Sequence, residues 1–211
     1  TNKNFCLHLK IVVRFSYLKC LERKNLIIKV VLIGDGGVGK TSIARAYLRK
    51  EFQYEYMPTI GVDFYKKRIK VHAETLGEIM ITWHIWDFSG QPYWKEVRPV
   101  FYEGSQGALL VFDISNLNSY RDTLTWAGEF VRNAGKRPII LIGNKIDLRG
   151  KVDKCLTYGD GLRMAKNISE NFNVDVSYVE TSALLRVNID KAFTELARSI
   201  FKCLSVMEIY L

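Results

Sequence analysis

Gly34-Asp-Gly-Gly-Val-Gly39-Lys40-Thr41 follows the apolar run Lys29-Val-Val-Leu-Ile33 and precedes the helix-like stretch Thr41–Lys50. This is the GxxxxGK[ST] string in strand–loop–helix context, the arrangement that holds nucleotide phosphates. Such a loop folds its backbone N–H groups around phosphate oxygens, and side chains would obstruct the approach, so glycines are needed. The N-terminus of the following helix adds partial positive charge. On this reading Gly36, Gly37, Val38, Gly39, Lys40, Thr41 and Ser42 surround the phosphates. Lys40 bridges the β- and γ-phosphates as a point charge and the Thr41 hydroxyl ligates Mg²⁺. The competing reading, a glycine-rich turn that only joins strand to helix, accounts for three glycines but not for the full string.

Working outward, apolar β-rich runs alternate with helical patterns, as in an α/β domain whose sheet is covered on both faces. Strands are expected at Leu26–Ile33, Val62–Val71, Ile79–Trp86, Ala108–Phe112, Ile139–Ile142 and Ser177–Glu180. The second and third are separated only by the link Glu74–Glu78, which reads as an antiparallel hairpin. The fold class is therefore α/β, with a mixed, mostly parallel six-stranded sheet. Ile189, Ala192, Phe193, Leu196, Ala197, Ile200, Phe201 and Leu204 recur at spacings of three and four and predict a helix with one apolar stripe. Leu124, Ala127, Phe130 and Val131 mark a second helix over Tyr120–Ala134.

Asn144-Lys-Ile-Asp147 directly follows the strand ending at Ile142-Gly143. A carboxylate there accepts from N1–H and the exocyclic amine of guanine. Adenine offers neither donor and would leave a buried Asp147 unpaired. Asn144 can meet the other base edge, and the stem of Lys145 can lie over the ring. Taken alone, the four residues also read as a turn with a helix cap; their position after the phosphate loop and after an apolar strand is what gives them weight.

Composition bounds the rest. The chain has 211 residues, 48% of them apolar, which fits one globular domain, and no apolar run approaches transmembrane length. The formal charge of +9 is scattered rather than clustered with aromatic residues, so nucleic acid is not expected as a partner. Cys6, Cys20, Cys155 and Cys203, and His8, His72 and His84, form no zinc-type spacing. The cysteine usage fits a reducing, cytoplasmic compartment.

From Leu26 to Leu204 the sequence resembles the Ras superfamily of small GTPases, in its Rab-like branch, with five motifs in order. Besides the two above, Tyr56-Met-Pro-Thr59-Ile-Gly-Val-Asp-Phe64 is similar to the first switch, Trp86-Asp87-Phe-Ser-Gly90-Gln91 to the second, and Glu180-Thr-Ser-Ala183 to the last base-contacting loop. The resemblance implies the P-loop small-GTPase fold and a switch that binds GTP or GDP with Mg²⁺ and hydrolyses GTP. It makes Thr59 and Asp87 metal-site residues beside Thr41 and gives Gly90 an N–H to the γ-phosphate. Gln91 orients the attacking water, acting with Lys40 and Thr59 in catalysis. Phe52 stacks on the base and Tyr56 covers the phosphates. Ser182 supports the guanine loop, and the Ala183 N–H donates to guanine O6. Phe64, Trp86 and Phe101 match an aromatic triad that effectors read. Exchange factors and GTPase-activating proteins are the other implied partners, the implied state is a monomer, and membrane traffic is the implied setting. No arginine lies between Gln53 and Pro58, so an internal arginine finger is not suggested and slow intrinsic turnover is expected.

Three departures from the family pattern stand out. The second switch reads Asp87-Phe-Ser-Gly-Gln-Pro92 where Asp-Thr-Ala-Gly-Gln-Glu is usual, leaving open whether Gln91 is held productively. Leu184 replaces a common lysine, and the chain ends Glu-Ile-Tyr-Leu211 with no CaaX box. Ahead of a GTP-binding domain expected over 26–204, residues 1–25 carry six basic residues against one acid, with Leu7, Leu9, Ile11, Val13, Phe15 and Tyr17 at a strand-like period. An extra strand or unstructured extension is the simpler reading of that segment; a membrane-surface element is the other, so peripheral membrane attachment stays open. Residues 205–211 read as a short tail. Two further functions stay open beside the switch: a GTP-locked binding module with negligible hydrolysis, favoured by Phe88 and Pro92, and, more remotely, a P-loop kinase.

Overall fold

The computed structural model describes residues 25–49, 61–73, 77–88, 90, 94, 96–203 and 209–210. The sheet is built from β1 (Asn25–Ile33), β2 (Val62–Ala73), β3 (Gly77–Phe88), β4 (Gly107–Asp113), β5 (Ile139–Asn144) and β6 (Val176–Glu180). The helices are α1 (Lys40–Tyr47), α2 (Arg98–Tyr102), α3 (Leu117–Ala134), α4 (Tyr158–Phe172) and α5 (Ile189–Cys203). Strand order is β6-β5-β4-β1-β3-β2, and a two-residue strand, β7 (Ile209–Tyr210), extends the sheet beyond β2. β1 lies parallel to both β3 and β4, and β5 and β6 continue the parallel run; β2 and β3 pair antiparallel from Val62↔Phe88 to Ala73↔Gly77.

Alternation of side chains along each strand divides the core in two. Leu26, Ile28, Val30 and Leu32 of β1 face α1 and α5, whereas Val31 and Ile33 face α2, α3 and α4. β4 and β5 are buried at every position, as their unbroken apolar runs require for strands covered on both faces. The six expected strands and the hairpin are present, with β2 and β3 each reaching further toward the turn than their apolar residues indicate. Backbone pairing carries a hairpin past its last buried side chain. α1 is shorter than its sequence pattern, closing at Tyr47.

α4 has no counterpart in the sequence reading. Its buried stripe is Gly161, Met164, Ala165 and Ile168, too small and too weakly apolar to stand out. Its start is nevertheless written in Thr157 and Asp160, which form a reciprocal capping box. α2 was also unforeseen; five residues are too few for a period to show.

β2 and β3 build on one side of β1 and β4, β5 and β6 on the other, so a crevice opens at the carboxyl ends of β1, β3 and β4. Gly34, Asp87, Asp113, Asn144 and Glu180 all lie at that end of the sheet. Phe52, Tyr56, Thr59, Gln91, Pro92 and the basic segment before Asn25 fall outside the described residues.

Candidate functional site

The loop after β1 turns through Gly37 (φ 77°) and Gly39 (φ 101°) into α1. Gly39 is required twice over: its φ is left-handed, and a Cβ there would lie 2.3 Å from Asn144 Nδ2. Gly36 and Gly37 are exposed, Val38 is buried, and Thr41 and Ser42 are half-buried at the start of the helix. Lys40 curls back over the loop, its Nζ donating to the carbonyls of Gly34 (2.7 Å) and Asp35 (2.6 Å). Burial lowers its pKa to about 8, against the pull of Asp87 and Asp35. An anion in the loop would relieve that desolvation.

Asp87, at the end of β3, is fully buried. The Thr41 hydroxyl donates to its Oδ2 at 2.5 Å, while its Oδ1 has no hydrogen-bond partner. Burial raises the Asp87 pKa to about 6, with Thr41 and Lys40 opposing and Asp63 reinforcing. A buried carboxylate oxygen with no donor is an expensive arrangement in a protein alone. It fits a hard cation that oxygen ligands would hold between Thr41 and Asp87. Gly90 follows immediately, pressed onto the loop so closely that a Cβ would sit 2.3 Å from the Gly36 nitrogen. The sequence-expected phosphate and metal residues Lys40, Thr41, Asp87 and Gly90 are thus brought together from three segments.

At the other end of the crevice, Asn144 is almost completely buried and braces two loops. Its Nδ2 donates to the Val38 carbonyl (2.9 Å), and its Oδ1 accepts from Thr181 Oγ1 (3.0 Å) and the Ala183 N–H (3.2 Å). The sequence reading put Asn144 at a base edge and the Ala183 N–H toward a ligand; here the two groups bond to each other. Lys145 adopts the left-handed conformation (φ 68°), and its Nζ pairs with Asp113 Oδ2 at 2.7 Å. Asp147 Oδ1 accepts from Ser182 Oγ at 2.5 Å, leaving the half-buried carboxylate further acceptor capacity. Ser182 and Val187 close the loop through paired backbone bonds.

Several participants were not singled out in the sequence. Asp113 fixes Lys145; its signal was an acid ending an otherwise apolar strand. Trp126 Nε1 donates to Asp35 Oδ1 at 2.7 Å, and the Arg98 guanidinium lies 4.1 Å from the centre of the Trp126 ring. Arg98 makes a buried bidentate pair with Glu129 (2.8 and 2.9 Å), which also accepts from the Tyr102 hydroxyl (2.8 Å). This chain of contacts links the phosphate loop to α2 and α3, and no local pattern could have announced it.

Phe64, Trp86 and Phe101 form a continuous aromatic row, with ring centres 5.4 and 5.8 Å apart, and Phe64 is half exposed. Phe88, the bulky departure in the second switch, is buried in the core against Phe101 and Tyr102 and does not enter the crevice.

A model of the Ras family matches residues 29–202 of this chain. The Ras-related protein RABG3a of Arabidopsis thaliana is 35% identical over 182 residues, 84% of each chain. The Ypt/Rab-type GTPase YPT7 of Saccharomyces cerevisiae is 34% identical over 183 residues, 84% of this chain and 83% of that one. The GTP-binding protein yptV5 of Volvox carteri is 35% identical over 182 residues, 84% of this chain and 83% of its own.

Proposed function

The chain belongs to the Ras family as a Rab-like small GTPase, and from that premise we propose that it is a magnesium-dependent switch whose nucleotide state is read by effector proteins in membrane traffic. The observation that carries the metal and phosphate reading is the Thr41–Asp87 pair, with one Asp87 oxygen buried and unpartnered beside the phosphate loop.

Asp147 accepts from the N1–H and exocyclic amine of guanine, held in place by Ser182. Asn144 braces the phosphate and base loops, and the second hydrogen of its Nδ2 meets the other base edge. Lys145, fixed by Asp113, lays its stem along the ring. Lys40 turns from its own loop carbonyls to the β- and γ-phosphates, and the amides of Gly36 to Thr41 surround them. Thr41, Asp87 and Thr59 would hold Mg²⁺, which would neutralise charge on the phosphate oxygens. Gln91 orients the attacking water. Phe52 and Tyr56 cover base and phosphates, Ser42 borders the phosphates, and Ala183 supports the base loop.

Intrinsic hydrolysis is slow because the chain supplies no arginine finger from its first switch. An activating protein would add one across the exposed Gly36, an effect of roughly 10³ to 10⁵ in rate. Loss of the γ-phosphate removes the contacts of Thr59 and Gly90, and both switches relax. Burial of Phe88 in the core takes away one of the two features that favoured a hydrolysis-silent binding module.

The test is nucleotide selectivity and metal dependence in the purified chain. Fluorescent GDP should be retained, the adenine analogue should not compete, and EDTA should accelerate release. Equal retention of adenine and guanine nucleotides, or release indifferent to EDTA, would contradict the proposal.

A further inference from the structure

Helices α3 and α4 cover one face of the sheet across β6, β5, β4 and the end of β1, and α2 covers only the Trp86–Phe88 end of β3. Among the described residues no helix covers the same face of β2. Phe64, Lys66, Arg68 and Lys70 lie on it in register with Trp86, His84, Thr82 and Met80 of β3, and all four are exposed. β1 adds Lys29, opposite His84, and Ile27, which is 58% exposed. Lys29 is fixed, donating to the Glu103 carbonyl at 2.6 Å with its charge 4.7 Å from the Trp86 ring centre. Lys70 meets Glu78 at a loose 3.6 Å in solvent. Among the described residues no acid pairs with Lys66 or Arg68; burial pushes the His84 pKa down, and the neighbouring Lys66 adds to it.

We infer that this face docks an acidic amphipathic helix of a partner protein, laid along β2. It completes the layer that α3 and α4 begin. Side chains two apart on a strand are separated by about 6.8 Å, and helix positions four apart by about 6 Å. Carboxylates on one helical face therefore meet Lys66, Arg68 and Lys70 in turn. An apolar residue at the helix end meets Phe64 and Trp86. A flat anionic bilayer fits less well, because the basic row lies on the sheet beside a helical layer about 10 Å thick, which would hold the membrane away. The aromatic end of this inference rests on the effector reading above, whereas the basic row stands on its own charge and exposure.

The probe is a synthetic helical peptide with glutamates three and four residues apart and one terminal leucine, compared with its glutamine counterpart and with phosphatidylserine vesicles. The full chain, loaded with a non-hydrolysable GTP analogue or with GDP, is titrated in anisotropy and vesicle-flotation assays. The glutamate peptide should bind at least about tenfold more tightly than the glutamine peptide. K66E/R68E/K70E should lose about tenfold or more while retaining nucleotide, and K66Q/R68Q/K70Q, which adds no new charge, should lose an intermediate amount. Equal binding of the two peptides, unchanged affinity in both triple variants, or charge-dependent binding to vesicles without binding to the peptide would overturn the inference. Charge-dependent binding without nucleotide preference, unaffected by Phe64→Ala, would retain the basic docking face and remove the effector reading. Nucleotide preference that survives the charge reversals would do the opposite.

Discussion

Asn144→Ala probes the brace between the two loops. The substitution removes three hydrogen bonds of 2.9, 3.0 and 3.2 Å from a side chain that is 1% exposed. It strands the Val38 carbonyl and the Ala183 N–H, while the Thr181 hydroxyl can rotate toward another acceptor. Each stranded buried group costs about 1–3 kcal/mol, so the two together cost about 2–6 kcal/mol, with a middle value of about 4 kcal/mol. If about 2 kcal/mol of this falls on the nucleotide complex through a loosened phosphate loop, release accelerates about thirtyfold. The remainder, about 2 kcal/mol at the middle of that range, falls on the protein without nucleotide and lowers its melting temperature by roughly 4–8 °C for a chain of this size. The assay pairs release of a fluorescent GDP analogue with thermal unfolding after nucleotide removal. A residue that only touched the base would change release and leave the nucleotide-free melt alone. An unchanged melt in Asn144→Ala would refute the brace.

Other consequences follow from the same contacts. Breaking the buried pair with Arg98→Met or Glu129→Leu should each cost about 3–5 kcal/mol in urea unfolding, and the double variant should cost less than either single change. Additive losses would show that the partners do not depend on one another. Phe88→Ala should lose about 3–5 kcal/mol of stability by opening a core cavity, with GDP affinity within a few-fold of the parent; a large affinity loss at unchanged stability would place Phe88 in the site after all. Asp87 carries a raised folded value of about 6 against 3.8 for the ordinary carboxyl, so between these values the folded chain holds a proton that the unfolded chain has released. Its contribution, up to about 3 kcal/mol, is present at low pH and lost as pH rises through about 6. Nucleotide-free Asp87→Asn should lack that slope in a pH series of melts, and a parallel slope would contradict the assignment.

What the sequence disclosed depends on how local each signal is. The phosphate loop is legible because its constraint is a backbone one, written in consecutive glycines before Lys40 and Thr41. Asp147 and Ser182 are legible as motifs, and the structure joins them across 35 residues. β4 and β5 announce themselves because burial on both faces demands continuous apolar runs. α4 stayed hidden because Gly161 and Ala165 carry little hydrophobic signal, although its capping box stood in the sequence. Arg98, Trp126 and Glu129 were illegible for a different reason: each looks like an ordinary helix residue until α2 and α3 bring them together. Asn144 carries a second role that its motif does not announce, since the same amide also ties together the Val38 carbonyl, Thr181 and Ala183.

The most direct test of the switch is a single turnover of GTP bound to the purified chain with magnesium, followed by chromatography of the bound nucleotide beside Gln91→Leu. Slow conversion to GDP in the parent, abolished in Gln91→Leu, is the expected result. GTP that persists unchanged in both proteins would contradict it.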